Sequence, residues 1–408
     1  MADRSVDFLL IGGGVAAASC ARTLREEGAA GSVLLVGREP DPPYDRPPLS
    51  KEYLAGKLGR DGVLVKPAEW WEQNGIEVLC RTSVMKLDVD ARVAKLSNRE
   101  EVGFEKALIA TGANVRRLRA DGGDLEGIHC LRTFANSDAI RQDTENAERV
   151  VVIGGSFIGC EVAATLTSLG RRCSIVMQEQ VPLERQFGRE VGGFFQRVLE
   201  EHGIEVHGSD ELERYEGADG RVEKVVTKGG LELAAGAVVV GAGVVPDTML
   251  AKAAGLELGE KGGVLCSDRL ETSAPGVYVA GDMAEYQSAL HGGHARIEHW
   301  DVATEHGKTA ARNMLGHDSP HEAIPYFWSD LADWTGLEYV GVGSGEWLVR
   351  GSIEDGSFTA FALDDDRVVA AMTVGRSDDL EHARRMIGER ATPGPDALAD
   401  EGTDLASL

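Results

Sequence analysis

Residues 6–17, VDFLLIGGGVAA, restrict the possible folds of this chain more than any other stretch. An apolar run at 8–11 reads as a strand, three glycines follow it, and small residues then open a helix. The spacing Gly12-x-Gly14-x-x-Ala17 is the dinucleotide fingerprint with alanine in the third place. Gly12 permits the tight turn, and Gly14 lets the backbone approach a pyrophosphate. Ala17 lets helix and strand pack closely, and the helix N-terminus faces phosphate charge. A glycine run alone also suits a plain strand–helix turn. The strand before it and the helix after it favour the dinucleotide.

The pattern returns at 150–179. VVIGGSFIG carries Gly154, Gly155 and Gly159, with Ser156 in the place of the middle glycine; a helix is expected through 163–169 and a strand at 173–177. Glu179 stands about 20 residues past Gly159, where an acid would hold a ribose hydroxyl. No arginine follows it within two residues to receive a 2′-phosphate, which favours NADH, with NADPH the alternative. Glu179 as a solvated turn residue is the other reading. After the first loop the corresponding acid is Glu39, but Arg38 precedes it, so the ribose contact stays open between Glu39 and backbone groups. Two such units predict an α/β protein with two Rossmann-like dinucleotide-binding domains.

The 408 residues allow two or three domains at roughly 150 residues each. No apolar run reaches the ~18–20 residues of a membrane span, and no basic segment followed by an apolar one opens the chain. The six cysteines (Cys20, Cys80, Cys130, Cys160, Cys173 and Cys266) are scattered without a Cys-x-x-Cys. That fits reduced thiols in the cytoplasm and argues against a disulfide framework or a metal site. The net charge of −25 argues against nucleic acid or an anionic membrane as partner.

Other stretches add candidates. In 40–54, PDPPYDRPPLSKEYL, prolines stiffen a loop and Ser50 is a candidate helix cap. Arg46 and Lys51 there suit phosphate or flavin contacts, or are ordinary loop charges. Residues 61–100 alternate short strands with charged turns, and 104–113, FEKALIATGA, is a strand ending in Thr111-Gly112, where the chain leaves one nucleotide domain. Residues 237–250, AVVVGAGVVPDTML, contain Gly243 and close the second nucleotide fold. GVYVAGD at 276–282 ends in Gly281-Asp282, an acid able to accept from sugar or ribityl hydroxyls at the carboxyl end of a strand. RIEHW at 296–300 opens a helix reaching 315; Glu298, His299 and Trp300 belong either to the core or to a site. From 325 a small α+β domain is expected, with strands at 337–342, 358–363 and 367–374 and a helix at 378–390 capped by Ser377. The Pro-, Gly- and acid-rich tail from Thr392 reads as disordered.

In their order and spacing, PYDRPPLSKEYL, LIATGA, VVIGGSFIGCE, GVYVAGD, RIEHW and PYFWSD resemble the FAD-dependent NAD(P)H:ferredoxin reductases of bacterial oxygenase systems, a family related to apoptosis-inducing factor. The resemblance implies a glutathione-reductase-like FAD domain from 1–113 and 245–323. It implies an inserted NAD(P)H domain at 114–244, and an α+β domain at 324–408 that closes over the flavin. It places Arg46, Lys51, Arg132 and Asp282 on FAD, Lys51 with Glu161 near flavin N5, and Trp328 beside the isoalloxazine. It sets Glu298-His299-Trp300 where nicotinamide and flavin meet, and adds Thr111, Gly112, Gly243 and Gly281 to the cofactor-binding positions. The implied activity passes hydride from NADH to FAD and then single electrons to a small iron–sulfur ferredoxin, with a rubredoxin the alternative acceptor. The cysteines lack iron–sulfur spacing, so that acceptor is a separate protein. A disulfide reductase of the same architecture needs a cysteine in 40–56, and there is none. A redox-sensing flavoprotein is the third reading; slow turnover with an artificial acceptor would mark it. The chain departs from the family pattern at Arg38, Met177 and Ser156, all on the adenosine side. For docking an acidic partner, Lys308 and Arg312, four residues apart on one helical face, or Arg384 and Arg385, are the candidate basic patches.

Overall fold

The computed structural model describes residues 2–343 and 347–408. It divides into two compact units, one made of Met1–Arg46, Asp61–Asn114 and Val245–Pro325, the other of Pro47–Arg60, Val115–Val244 and Tyr326–Leu408.

In the first unit, strand Arg4–Ile11 lies between the parallel strands Val33–Val36 and Glu101–Ile109. Ile76–Leu79 extends the sheet in parallel on one side. On the other, Val277–Val279 runs parallel to Glu101–Ile109, and the hairpin Val84–Asp88/Val93–Leu96 completes the sheet antiparallel. All four residues of Val33–Val36 are buried, as a parallel strand covered on both faces requires. Helix Val15–Glu26 leaves the first glycine loop and packs on helix Trp300–Met314. The two approach closely because position 307 is glycine: a Cβ there would lie 2.3 Å from the Ala16 carbonyl oxygen. The stretch 61–100 holds the expected short strands and also a helix, Ala68–Gln73, whose Trp71 is buried.

In the second unit, five parallel strands run in the order Glu205–His207, Arg172–Val176, Arg149–Ile153, Ala237–Val240, Ile128–Cys130. A three-stranded antiparallel sheet, Leu212–Ala218, Arg221–Thr227 and Glu232–Ala234, adjoins it in sequence. The C-terminal part is a five-stranded antiparallel sheet in the order Tyr326–Leu331, Thr335–Gly341, Arg367–Val374, Ser357–Asp364, Trp347–Ser352, with helix Ser377–Glu389 against it. The expected α/β class with two nucleotide-binding sheets and a small α+β part is what forms.

Local expectations are corrected at three places. Ser50 caps no α-helix; it ends the 3₁₀ turn Pro47–Ser50. Ser377 is the first residue of its helix, with Arg376 in the cap position, and its hydroxyl donates to the Glu338 carboxylate. The tail is ordered: it forms helix Pro395–Ala399 and buries Leu398 and Leu405. The buried Arg350 holds it by donating to the carbonyls of Leu398 (3.3 Å), Asp400 (2.6 Å), Glu401 (3.4 Å) and Thr403 (2.9 Å). Arg376 pairs with Glu401 (2.7 Å) and Arg385 donates to the Leu405 carbonyl (3.0 Å); composition predicted disorder because it carries no information about these arginines.

Candidate functional site

The first glycine loop is shaped by backbone contact. Gly12 has φ of 137°, and a Cβ on it would fall 2.1 Å from the Ala110 carbonyl oxygen. Gly14 faces open space, with nothing within 4 Å of the Cβ it lacks, at the N-terminus of helix Val15–Glu26. Ala17 is fully buried behind it. The loop thus leaves free the space and amide direction that a pyrophosphate uses.

Around this loop the unit arranges the predicted residues into two groups. In the first, Glu39 accepts from the Tyr44 hydroxyl (2.5 Å) and from Arg46 Nη2 (2.6 Å), while Arg46 Nη1 donates to the Tyr44 oxygen (3.2 Å). Burial pushes the Glu39 carboxyl up, but Arg46 and the Tyr44 hydroxyl outweigh it and hold the group below the ordinary carboxylate range. Both oxygens of Glu39 therefore already serve the loop, and Arg46 lies in the electrostatic reach of Asp282. Arg38 turns elsewhere, to Asp247 (3.0 Å) and Asn114 (2.9 Å). In the second group, Trp300 Nε1 donates to Asp45 (2.9 Å), whose carboxyl is raised by burial against that hydrogen bond. His299 is driven by burial to about 4 and is neutral at pH 7. Arg296 Nη1 donates to the Asp282 carbonyl (3.0 Å) and pairs with Glu298 (2.5 Å). Thr111 spends its hydroxyl on the Asp247 carbonyl (2.7 Å), and the Asp247 amide returns to the Gly112 carbonyl (2.8 Å).

The second unit repeats the loop logic. Gly154 has φ of 113°, with its missing Cβ 2.5 Å from the Gly241 carbonyl oxygen. A Cβ on Gly155 would lie 2.2 Å from Met177 Sδ and push that side chain aside, whereas Gly159 is required by the Gly154 carbonyl oxygen at 2.2 Å. Ser156 is the N-cap of helix Phe157–Ser168: its Oγ accepts from the Gly159 amide (3.4 Å) and donates to the Gly241 carbonyl (3.1 Å). The departure from glycine thus has a structural use. Gly243 has φ of 84° and open space beside it. Glu179 does meet an arginine, Arg185, six residues on rather than two, and Arg185 also donates to Gln178 (3.3 Å).

The same unit contains a buried polar cluster. Lys51 Nζ lies 3.4 Å from the buried Glu161, 3.5 Å from the half-exposed Asp330, and 5.6 Å from the centre of the Trp328 ring. Glu161 accepts from the hydroxyls of Ser50 (2.5 Å) and Ser329 (2.6 Å). Burial raises the Glu161 carboxyl above its ordinary value, opposed by Lys51 and the two serines. Trp328 stacks near Tyr326, 6.2 Å between ring centres. Arg132 precedes the Thr133–Asn136 capping box, its amide donating to Asn136 (3.2 Å).

The structure therefore groups Glu39 with Arg46, and Lys51 with Glu161 and Trp328. Sequence reasoning missed Tyr44, Asp45, Ser50, Arg296, Ser329 and Asp330 as partners, although all stand within or beside the stretches PYDRPPLSKEYL, RIEHW and PYFWSD. The proposed basic patches are not free faces. Lys308 pairs with Glu305 (2.5 Å) and Arg312 with Glu27 (3.0 Å). Arg384 lies over the Tyr326 ring, and Arg385 pairs with Glu389 (2.9 Å).

Two glycine loops of this geometry, each opening a helix from a parallel sheet, define a protein that binds two dinucleotides. The chain belongs to the pyridine nucleotide-disulphide oxidoreductase family, which it matches over residues 6–307, and it matches the reductase C-terminal family over 326–408. It is an oxidoreductase that binds FAD and NAD(P)H. Rhodocoxin reductase of Rhodococcus erythropolis is 31% identical over 402 residues, covering 98% of this chain and 93% of that one. The ferredoxin–NAD(+) reductase component of the anthranilate 1,2-dioxygenase system of Burkholderia cepacia is 34% identical over 407 residues, covering 98% of each. The crystal structure of the covalent putidaredoxin reductase–putidaredoxin complex matches with a TM-score of 0.93 at 31% identity, covering 100% of this chain and 98% of that one. All six cysteines are free thiols. Burial raises Cys160 to about 12 and Cys173 to about 11, values that suit packing rather than thiolate chemistry. No helix among the described residues is long and apolar enough to cross a membrane.

Proposed function

We propose that this protein takes reducing equivalents from NADH and delivers them, one electron at a time, to a small iron–sulfur ferredoxin that serves an oxygenase in the cytoplasm. The observation that carries the reading is the buried Lys51–Glu161 pair beside Trp328, with its second carboxylate Asp330. It is supported by relatives named as ferredoxin–NAD reductases, matched over nearly their whole length. Residues 1–113 and 245–323 would form the FAD domain, 114–244 the NAD(P)H domain, and 324–408 the C-terminal domain.

Bound FAD would supply the two-electron to one-electron conversion, and the protein would orient it and set the local charge. Gly12, Gly14 and Ala17 make room for its pyrophosphate at a helix N-terminus. Arg46, held by Glu39 and Tyr44, would bring a positive charge to it, and Asp282 would accept from its hydroxyls. Thr111, Gly112 and Gly281 shape the backbone at the strand ends, and Glu298, His299, Trp300 and Arg132 would supply the remaining cofactor contacts. Lys51 would supply a cation to the bound flavin. Glu161 keeps that cation in place and is itself held by Ser50 and Ser329. Trp328, next to Lys51, would offer the ring an apolar face. In the second unit Gly154, Gly155 and Gly159 set the path of the loop, and Gly243 has the open space beside it, so the four would hold the nicotinamide dinucleotide.

Glu179 favours NADH because its carboxylate accepts from a 2′-hydroxyl and repels a 2′-phosphate. Arg185, already paired with it, offsets part of that repulsion, so discrimination against NADPH should be modest. The test is steady-state reduction of a [2Fe–2S] ferredoxin with each nucleotide. The reading expects ferredoxin reduction with higher kcat/KM for NADH. A preference for NADPH would remove Glu179 from the site, and reduction of artificial acceptors without ferredoxin reduction would remove the partner.

A further inference from the structure

Behind the Gly281-Asp282 turn lies a group of histidines that the reading above does not use. Strand Val277–Val279 runs out of sheet partners at Ala280, whose amide still donates to the Ile109 carbonyl (3.1 Å). The next amide, Gly281, has φ of 76° and points down instead, donating to Nδ1 of His306 at 3.2 Å. His306 is completely buried on helix Trp300–Met314. Its neighbour Gly307 is pressed against the Ala16 carbonyl, so the ring is anchored to the same helix pair that carries the first glycine loop. The rings of Tyr286 and His321 meet it edge-on, with centres 4.7 and 4.5 Å away.

Two features show which atom matters. Burial, and then the neighbouring His321, keep the His306 ring neutral, far below its ordinary value. Because Nδ1 accepts a hydrogen bond, the proton sits on Nε2. Nε2 has no hydrogen-bond partner among the described residues. The bond from the Gly281 amide to Nδ1 is therefore the polar contact of this ring that an apolar side chain in its place would not make, and a buried amide left without an acceptor is costly.

We propose that His306 is a positioning residue for flavin binding: its Nδ1 fixes the Gly281 amide and so aims the Asp282 carboxylate that follows. Arg296 holds the same turn from its carbonyl side, through the Asp282 oxygen at 3.0 Å. The inference rests on the reading that Asp282 holds FAD, and the test separates the two.

FAD dissociation constants are measured on the holoprotein by recovery of flavin fluorescence. The proteins compared are wild type, His306→Leu, His306→Asn, Asp282→Ala and the double variant His306→Leu/Asp282→Ala. Asparagine carries an oxygen close to the place of Nδ1, so it keeps the acceptor; leucine fills the space without it. His306→Leu should raise the constant about tenfold, from one unmade buried hydrogen bond. His306→Asn should stay within about threefold of wild type, since its acceptor is retained. The His306→Leu effect should vanish in the Asp282→Ala background, because both act through one turn. A packing role predicts otherwise: leucine and asparagine would act alike, or the leucine effect would persist beside Asp282→Ala, and either result overturns the proposal. Failure of both His306 variants to fold would overturn it too. If Asp282→Ala itself leaves FAD binding unchanged, the assignment of Asp282 is what fails.

Discussion

Lys51→Met tests the energetics of the buried cluster. The side chains of Lys51 and Glu161 are only 9% and 7% exposed, so the substitution leaves a carboxylate in the interior without its cation. Removing one partner of a buried pair costs about 3–5 kcal/mol. Ser50 and Ser329 still donate to Glu161, which places the expected loss near the lower bound, about 3 kcal/mol at pH 8. The pH dependence has a definite sign. Burial already raises the Glu161 carboxyl, and loss of the lysine raises it further. A carboxyl whose folded value exceeds its unfolded one contributes fully below the unfolded value, and stability is lost as pH rises through the folded one. The deficit of Lys51→Met should therefore be largest in alkali and shrink by about 1.4 kcal/mol per pH unit as Glu161 takes up a proton. Lys51→Met/Glu161→Gln, which removes both charges, should recover to within about 1 kcal/mol of wild type. Urea unfolding followed by tryptophan fluorescence, across a pH series, measures all four corners of the cycle. Additive single effects, or a deficit that does not change with pH, would refute the reasoning.

Three further outcomes are expected. Gly12→Ala should abolish flavin retention on gel filtration, whereas Gly154→Ala, whose Cβ would meet the Gly241 carbonyl oxygen at 2.5 Å, should keep its flavin and raise the KM for NADH. Glu179→Ala frees Arg185 from its partner and should raise kcat/KM for NADPH while lowering it for NADH, read in paired steady-state assays. Arg350→Met removes four hydrogen bonds to the tail and should expose residues 398–405 to rapid amide exchange, which mass spectrometry reports.

The parts of this fold legible in the sequence are those where sterics leave one choice. Gly12, Gly154 and Gly159 each sit where a Cβ would strike a carbonyl oxygen, so residue type and backbone path imply one another. The parts misread are those where a distant partner overrules a local signal. Ser50 and Ser377 carry the chemistry of helix caps, yet their hydroxyls go to Glu161 and Glu338, 111 and 39 residues away. Lys308 and Arg312 do share a helix, but only the packing of helix Val15–Glu26 against it shows that Glu27 reaches Arg312. The tail reads as disordered until Arg350 is seen beneath it. Within the site, charge type was readable and pairing was not: Arg46 stands among prolines that say nothing of Glu39 or Tyr44.

The most direct measurement is anaerobic stopped-flow mixing of the purified holoprotein with one equivalent of NADH, followed by oxidised [2Fe–2S] ferredoxin. Rapid bleaching of a non-covalently bound FAD is expected, then its reoxidation in single-electron steps as two ferredoxins are reduced for each flavin. Bleaching by NADH with no electron transfer to any such ferredoxin, or a preparation whose released flavin is not FAD, would contradict the proposed function.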